Sequence, residues 1–481
     1  MAELWEMGAR ELAGMVGERR VSCREVVEAH LGRIEEVGGQ VNAVTVVLGD
    51  AALGAADETD RALRRGEAAG ALAGVPMTVK ENIDVAGSAT TFGIEALRDA
   101  VAVRDAPHIA QLRAAGAIPI GRGNMPEFGM RWHTDNALRG ATRNPWSAGH
   151  TPGGSSGGDA VAVATGMAAL GMGNDGAGSL RWPARCCGVA ALKPSLGRVA
   201  QAGPGSRRPM PFAFQLLGVH GVIARRVEDL RLAFAHMCGG PGDADPWYAP
   251  VPLRGPGPAA PLRVAVIGSG PGDGDESGAV RRAAGLLAGA GYLVEERTPP
   301  ALVRAAELHT QIMSAYGRVH EEQPPVETVA SEGFVRFWAA FEETWNRAAG
   351  ERAFDPMMER AALVAAWAEW MTHTPLLLAP VCALPPFRVG TDLDPGWLSG
   401  WPAALRATVA VNLLGLPAVT VPTGTSGGLP QAVQIIAPRF REDLCLDAAS
   451  AVETGTPSLT PLTPLLASRD HAGDGRPPGT R

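Results

Sequence analysis

Residues 153–199 read GGSSGGDAVAVATGMAALGMGNDGAGSLRWPARCCGVAALKPSLGRV, and this stretch contains the strongest indications of architecture and chemistry in the chain. Its central part, Asp159 to Leu170, is apolar on nearly all faces, which is typical of a helix buried at the centre of a large domain. Glycine-rich segments on either side of this helix carry Ser155 and Ser179. The stretch therefore predicts a buried helix flanked by two serine-bearing, glycine-rich segments.

The sequence before this stretch alternates between helical and strand-like segments. The first forty residues have apolar positions at helical intervals, and Ser22 and Glu25 form a capping box for the second helix. Residues 71–85 change to short β-type runs separated by Gly and Pro, with Lys80 on or beside a buried strand. Residues 106–123 read as a helix followed by a strand. This alternation predicts a sheet flanked by helices.

The second half of the chain continues the pattern. A strand, a helix and a strand are expected in LRVAVIGSG, AVRRAAGLLAGAG and YLVEERT, and residues 301–373 are helical in character. The glycines of Gly268–Gly272 suggest a phosphate loop, but Pro271 and nearby acidic residues lie where phosphate would need free N–H groups. Three more buried strands are predicted at residues 376–383, 417–423 and 432–436.

The composition restricts the classes of function. The chain has 481 residues, 46% of them apolar, which is enough to bury a large core. Its net charge of −7 and the absence of a basic run disfavour nucleic acid or a membrane as a partner and favour a small neutral substrate. Six cysteines without C-x-x-C spacing indicate reduced thiols. The N-terminus has no signal-peptide character, so we expect a cytoplasmic protein.

The run Gly176-Ala177-Gly178-Ser179 is a candidate for amide cleavage, which needs a nucleophile, a base, donors for the oxyanion and an acid for the departing nitrogen. Small residues let consecutive backbone N–H groups turn toward one point, and Ser179 stands at the end of the run as nucleophile. A tight turn without any ligand is the plain alternative.

Lys80 is the candidate base. The two histidines in site-like sequence, His133 and His150, belong to no recognisable triad. A lysine can act as a base if burial lowers its pKa towards neutrality. Ser155 can connect it to Ser179, because a hydroxyl donates one hydrogen bond while accepting another. The glycines around Ser155 permit a strained backbone there, even a cis peptide.

One competing motif involves the same serines, because Gly154-Ser155-Ser156-Gly157-Gly158 fits G-x-S-x-G, the nucleophile elbow of α/β-hydrolases. An elbow needs a strand immediately before it, whereas the NPW and TPG triplets at residues 144–146 and 151–153 break any strand. No downstream Asp and His are convincingly placed, so the elbow is disfavoured.

These motifs together resemble the amidase signature family. Lys80 precedes Ser155 by 75 residues and Ser155 precedes Ser179 by 24, which is the spacing expected for that family. The resemblance extends through GRGNMPEF, TRNPW, VNLLGLPAVTVP and GLPQAVQIIA, almost the whole chain. It implies a single α/β/α domain with a large mixed, mostly parallel central sheet flanked by helices. The implied boundaries are a domain at 1–466, with N-terminal helices at about 1–60, a signature core at about 70–235 and a variable helical region at about 300–375, and a disordered tail at 467–481.

The resemblance also implies roles for individual residues. It implies a Ser–cisSer–Lys triad of Ser179, Ser155 and Lys80, an oxyanion hole from the backbone N–H groups of Gly176, Ala177, Gly178 and Ser179, loop-bracing by Asp175 and Arg181, and Met130 in the acyl pocket. The chain departs from the common loop G-S-D-T-G-G-S, because Gly176 removes a side chain and Ala177 adds a methyl group. A positive φ at Ala177 would cost on the order of 1 kcal/mol.

The expected reaction is hydrolysis of a carboxylic acid amide through an acyl-enzyme on Ser179, without a metal or organic cofactor. The WHTDN and TRNPW segments resemble hydrolases of small aryl or indole-type amides, and Trp132 would suit a flat apolar group. Three alternatives stay open: a glutaminase-type subunit of a tRNA-dependent amidotransferase, an amide-forming acyltransferase and a non-catalytic relative. A homodimer is also left open.

Overall fold

An eleven-stranded mixed sheet passes through the described part of the chain and is flanked by helices. The computed structural model describes residues 3–201, 212–238, 245–257, 261–268, 274–318, 329–346, 355–460 and 462–464. The expected tail at 467–481 and most of the Gly268–Gly272 run lie outside these residues. None of the described helices combines the length and apolar character that crossing a bilayer requires.

The strands and helices are numbered in chain order. The strands are β1 Val44–Val47, β2 Pro76–Lys80, β3 Ile118–Gly123, β4 Leu170–Asp175, β5 Ala190–Lys193, β6 Val219–Ala224, β7 Arg263–Val266, β8 Leu293–Glu296, β9 Leu376–Pro380, β10 Ala418–Ser426 and β11 Leu429–Ile436. The helices are α1 Ala9–Gly17, α2 Cys23–Val41, α3 Gly49–Arg64, α4 Pro107–Ala114, α5 Gly157–Ala164, α6 Arg181–Cys187, α7 Phe212–Leu217, α8 Val227–Met237, α9 Gly274–Gly289, α10 Leu302–Arg318, α11 Glu332–Asn346, α12 Asp355–His373, α13 Pro395–Ala404, α14 Arg406–Leu414 and α15 Glu442–Thr454.

The strand order is β1-β3-β2-β4-β6-β5-β10-β11-β9-β7-β8. The predicted mixed sheet is confirmed, but the expectation of mostly parallel pairing is wrong. Among the described strands, β2 pairs in parallel with β3 and β4, and β7 with β8 and β9, whereas the other six pairs are antiparallel. The two-residue turn between β10 and β11 is one cause, because such a short connection joins antiparallel strands only.

Local sequence signals explain where the first long helix begins and ends. Ser22 caps α2, with the Glu25 N–H donating to Ser22 Oγ at 3.1 Å and the Ser22 N–H donating to Glu25 Oε2 at 2.8 Å. The predicted capping box is therefore confirmed. The helix stops at Asn42, whose φ of 50° is in the left-handed region that Asn tolerates better than most residues.

The predicted helix at residues 159–170 is shorter than expected. Helix α5 is buried throughout, but it ends at Ala164, and Leu170 already begins strand β4. Gly166 has a φ of +78°, and a Cβ there would lie 2.5 Å from the Trp5 ring. The boundary was missed because both the helix and the strand are apolar on all sides, so periodicity does not separate them.

The pairing of β2 with β4 brings together residues that the sequence predicts for the active site. The two strands run parallel, with Val79 opposite Met172, so both carboxyl ends reach the same edge of the sheet. Lys80 is the last residue of β2, and Asn174 and Asp175 are the last residues of β4. Helix α5 packs on both strands and starts just after Ser155. The fold thus brings Lys80, Asp175 and the segment that carries Ser155 to one edge of the sheet.

Candidate active site

Lys80 lies at the end of the fully buried strand β2 and contacts one of the two predicted serines. Its Nζ is 2.6 Å from Ser155 Oγ and donates to Asn174 Oδ1 at 2.7 Å. The Asn174 amide nitrogen in turn donates to Asn82 Oδ1 at 2.9 Å, which fixes the orientation of the Asn174 side chain. The amine is therefore held between a hydroxyl and an amide oxygen.

Burial controls the protonation of this amine. Removal from water lowers the pKa of Lys80 from its ordinary value of 10.5 to about 7, against the opposing attraction of the Asp159 and Asp175 carboxylates. Burial likewise raises the pKa of Asp159 above its usual range, although Lys80 and Arg122 oppose that shift. An uncharged amine at neutral pH is consistent with this environment.

Ser155 lies in a segment where the backbone approaches other backbone closely. The Gly154–Ser155 peptide bond is cis. A Cβ on Gly154 would lie 2.5 Å from the Arg131 carbonyl oxygen, and a Cβ on Gly153, whose φ is +83°, would lie 2.5 Å from Pro183 Cα. Both positions therefore require glycine.

Ser179 lies beside this segment. The Ser156 N–H donates to the Ser179 carbonyl at 3.2 Å, which joins the two serine-bearing loops. Ser155 is only 2% exposed, whereas Ser179 is half-buried. Lys80, Ser155 and Ser179 are thus gathered in one region, with Ser179 the most accessible of the three.

In the loop from Asp175 to Ser179, three backbone N–H groups have no partner in the part of the chain that the structure describes. Within the described residues, no hydrogen bond is donated by the N–H groups of Gly176, Ala177 and Ser179. In each of the same three peptide units, the carbonyl oxygen accepts a hydrogen bond. The Asp175 carbonyl accepts from Asn412 Nδ2 at 3.0 Å, the Gly176 carbonyl from His309 Nε2 at 2.8 Å, and the Gly178 carbonyl from the Trp182 N–H at 2.7 Å.

Gly178 differs from its neighbours in this loop. Its N–H donates to Asp175 Oδ1 at 2.8 Å, so this member of the predicted oxyanion hole already has a partner within the protein. The positive φ in the loop, +99°, also lies at Gly178, and Ala177 is not among the residues with positive φ. The strain considered for Ala177 therefore does not arise. A Cβ on Gly178 would lie 2.8 Å from Thr408 Cγ2.

Asp175 and Arg181 form a fully buried ion pair beneath this loop, with Arg181 Nε 3.0 Å from Asp175 Oδ2. Burial opposes ionisation, but the Arg181 guanidinium holds the pKa of Asp175 well below its usual range. Arg181 also donates to Gln434 Oε1 at 2.9 Å and to Asn412 Oδ1 at 2.6 Å. The pair therefore ties the loop to strand β11 and helix α14.

Trp132 lies against the same loop. Its indole N–H donates to the Ala177 carbonyl at 3.4 Å, and its ring lies 5.8 Å from the Trp401 ring and 6.4 Å from the Phe341 ring. Met130 is half-buried and packs on the hydrophobic core two residues earlier. Gly129, next to it, is near Ser155, because a Cβ on Gly129 would lie 3.3 Å from Ser155 Oγ. The two residues predicted for the pocket therefore flank the site.

Three contacts at the site come from residues that the sequence did not single out: Asn174, His309 and Asn412. Asn174 was visible as a difference from the common loop pattern. Asn412 lies in the VNLLGLPAVTVP segment that carried part of the resemblance. His309 lies in the variable helical region, and no local signal connects it to a loop 133 residues earlier.

Among the described residues, no three His, Cys, Asp or Glu side chains lie close enough together to hold a metal ion.

A model of the Amidase family matches residues 25–446. The chain belongs to the amidase family. The resemblance expected from the sequence is therefore confirmed, and so is amide hydrolysis as the type of reaction.

Several known amidases and related proteins match this amidase over most of its length. It is 38% identical over 456 residues to an indoleacetamide hydrolase of Bradyrhizobium diazoefficiens, with 94% of this chain and 86% of the relative covered. It is 32% identical to one subunit of the glutamyl-tRNA(Gln) amidotransferase of Moorella thermoacetica, with 94% and 97% covered.

Solved structures show the same fold. A 6-aminohexanoate cyclic dimer hydrolase complexed with substrate superposes with a TM-score of 0.81 at 28% identity, covering 95% of this chain and 98% of that one. A bacterial aryl acylamidase of the amidase signature family superposes with a TM-score of 0.79 at 26% identity, covering 95% and 97%.

Proposed function

We propose that this amidase uses Ser179 as the nucleophile, Ser155 as a proton relay and Lys80 as the base. The contact that carries the proposal is the 2.6 Å separation of Lys80 Nζ and Ser155 Oγ, both of them buried. A buried amine with a lowered pKa has a lone pair for the Ser155 proton, and the neighbouring hydroxyl can in turn take the proton of Ser179.

Acylation begins with two linked proton transfers. Ser155 passes its proton to Lys80 and takes the proton of Ser179, whose Oγ forms a bond to the amide carbon. The carbonyl oxygen becomes an oxyanion. When this tetrahedral intermediate collapses, the C–N bond breaks and the departing nitrogen takes a proton from Ser155, which Lys80 replaces. Ammonia or an amine leaves, and an ester of Ser179 remains.

Deacylation uses the same groups with water in place of the amine. Ser155 passes its proton to Lys80 and takes a proton from water as the water oxygen adds to the ester carbon. Collapse of the second tetrahedral intermediate breaks the bond to Ser179 Oγ, which regains its proton from Ser155. The carboxylic acid is released, and all three side chains return to their starting states.

The oxyanion site in this proposal consists of the N–H groups of Gly176, Ala177 and Ser179. Each N–H lacks a partner among the described residues, and the carbonyl of each peptide is held by another group. Donors held in place before the reaction stabilise developing charge without reorganisation at the moment of reaction. Gly178 is left out, because its N–H is bonded to Asp175.

We propose an aryl or indole-type amide as the substrate. Trp132 contacts the oxyanion loop, and the rings of Phe341 and Trp401 lie near it, so flat apolar side chains are concentrated beside Ser179. The relative with 38% identity is an indoleacetamide hydrolase, and one structural neighbour is an aryl acylamidase. The alternative of a role within an amidotransferase has less support, since that relative is 32% identical.

The nucleophile is tested with Ser179→Ala, which should lose at least a thousandfold in ammonia release from an aryl acetamide, because the acyl-enzyme cannot form. Ser450→Ala is the matched control, since the Ser450 hydroxyl donates to the Leu446 carbonyl within helix α15. It should retain wild-type activity. Ordinary turnover by Ser179→Ala would refute the assignment. A parallel panel of aliphatic amides refutes the substrate class if acetamide is hydrolysed as efficiently.

A further inference from the structure

Helix α10 brings one fully buried histidine to the oxyanion loop. His309 Nε2 donates to the Gly176 carbonyl at 2.8 Å. Within the described residues no other group bonds to this carbonyl. Gly176 itself has no side chain, and even a Cβ there would find its nearest neighbour, Phe214, at 3.6 Å. Packing around Gly176 therefore does little to orient the peptide, and the histidine is its principal anchor.

The geometry of a trans peptide relates the hydrogen bond from His309 to the direction of the Ala177 N–H. In a planar trans peptide, the carbonyl of one residue and the N–H of the next point in opposite directions. The Gly176–Ala177 bond is not cis. The bond from His309 to the Gly176 carbonyl therefore directs the Ala177 N–H away from helix α10, and this N–H is one of the three without a partner among the described residues.

The neighbouring peptide units have other anchors. The Asp175 carbonyl is held by Asn412 and the Gly178 carbonyl by the Trp182 N–H in the first turn of helix α6. Asn412 and Trp182 lie in segments that carry the family resemblance, whereas His309 lies in the variable helical region. The orientation of the Ala177 N–H thus depends on a residue outside those segments.

We propose that His309 is a positioning residue that fixes the direction of the Ala177 N–H, and thereby the strength of the oxyanion site, in this amidase. The inference rests on the proposed function of the loop from Gly176 to Ser179. His309 replaces, from a distant helix, the stiffness that the chain gives up by having glycine at position 176.

The state of the ring agrees with a donor role. Burial lowers the pKa of His309 to about 4, so the imidazole is neutral at the pH of an amidase assay, with its proton on Nε2. Nδ1 has no partner among the described residues, so protonation there would leave an unsatisfied N–H. The charged groups that act on the ring are Asp175 and Arg181, which are already paired with each other.

The test compares His309→Met with His309→Gln in the full-length protein. Methionine fills similar volume without an N–H donor, whereas the glutamine amide places a donor near the position of Nε2. His30→Met is the matched control, because His30 is equally buried and makes the same kind of bond, from Nδ1 to the Val26 carbonyl at 2.8 Å, in helix α2.

Three measurements separate positioning from folding. They are kcat and KM for an aryl acetamide, the rate constant and site of labelling by a fluorophosphonate, and the Kd of the carboxylate product. Labelling forms a bond from a serine oxygen to phosphorus with loss of fluoride, and its transition state also places negative charge in the oxyanion site. Mass spectrometry of the labelled peptide identifies the nucleophile and so tests the proposed function separately.

We expect His309→Met to lower kcat and the labelling rate constant by roughly 10- to 100-fold, less than the loss of an entire oxyanion donor, with little change in the product Kd. His309→Gln should recover most of the loss, and His30→Met should leave both rates unchanged. The proposal is overturned if His309→Met stays within twofold of wild type, if glutamine rescues nothing, or if His30→Met causes an equal loss. Label on a residue other than Ser179 overturns the proposed function instead.

Discussion

Acidification should switch off this amidase through Lys80. Burial lowers the pKa of that amine from 10.5 to about 7, so roughly half of the molecules carry a neutral amine at pH 7, compared with about one in 3,000 for an ordinary lysine. The neutral fraction falls to roughly one in 100 at pH 5. We therefore expect kcat/KM to rise with pH and level off above about pH 8, with a roughly 90-fold difference between pH 5 and pH 8.

The substitution Asp159→Asn tests whether the Asp159 carboxylate raises or lowers the pKa of Lys80. The Asp159 carboxylate favours the ammonium form of Lys80, so its removal should lower the pKa of Lys80 further and move the acid limb of the profile to lower pH. Asp229→Asn is the matched control. Asp229 is also a buried carboxyl with a raised pKa, but its partners are the Arg10 N–H and other groups around helix α8.

The assay is ammonia release from an aryl acetamide between pH 5 and pH 9 at constant ionic strength, with circular dichroism to confirm that each variant stays folded. Burial lowers the pKa of His220 and of His309 to about 4, so these side chains do not titrate in this window, whereas Asp159 and Lys193, whose pKa values burial shifts to about 7, do titrate there. A profile that is flat between pH 5 and 8, or an acid limb that moves upward in Asp159→Asn, would contradict the assignment of Lys80 as the base.

Two further substitutions test the surroundings of the proposed triad. Asn174→Ala removes the oxygen that orients the Lys80 amine, and the loss of a hydrogen bond of about 1 kcal/mol should lower the plateau of kcat about fivefold while moving the acid limb to lower pH. Arg181→Met leaves the Asp175 carboxylate buried without its cation and should lower the free energy of unfolding in urea by about 3–5 kcal/mol. Arg24→Met, at an exposed ion pair, should change the free energy of unfolding by less than about 1 kcal/mol. If both substitutions lowered the free energy of unfolding equally, a structural role for the buried pair would be contradicted.

The local parts of the fold and of the site could be predicted from sequence. The capping box of α2 and the strand that ends at Lys80 follow from a few neighbouring residues, and both are present. Ser155 was expected to meet Lys80 because the spacing resembled a known family, and the two side chains are 2.6 Å apart.

Other features could not be predicted because they depend on long-range pairing. Apolar runs identify buried strands but do not show which strands pair, and the resemblance implied mostly parallel pairing, so the larger share of antiparallel pairs was missed. The end of helix α5 was missed because Leu170 and the residues before it are buried in either conformation. The occupation of the Gly178 N–H by Asp175 required knowledge of where the carboxylate points, since a neighbour three residues away can face either side of the loop.

The loop from Asp175 to Ser179 shows why long-range contacts at the candidate site could not be predicted from the sequence. Its glycines allow the backbone to turn three N–H groups outward, but the same freedom means that the loop cannot hold that shape by itself. The anchors on its carbonyl side come from His309 on α10, Asn412 on α14 and the Trp182 N–H of α6, while Asp175 takes up the remaining N–H. Because two of these anchors lie more than a hundred residues away in sequence, the donors are aligned only when the surrounding helices have packed. In the proposed mechanism, the strength of the oxyanion site therefore depends on the folded assembly around the loop as much as on the loop's own sequence.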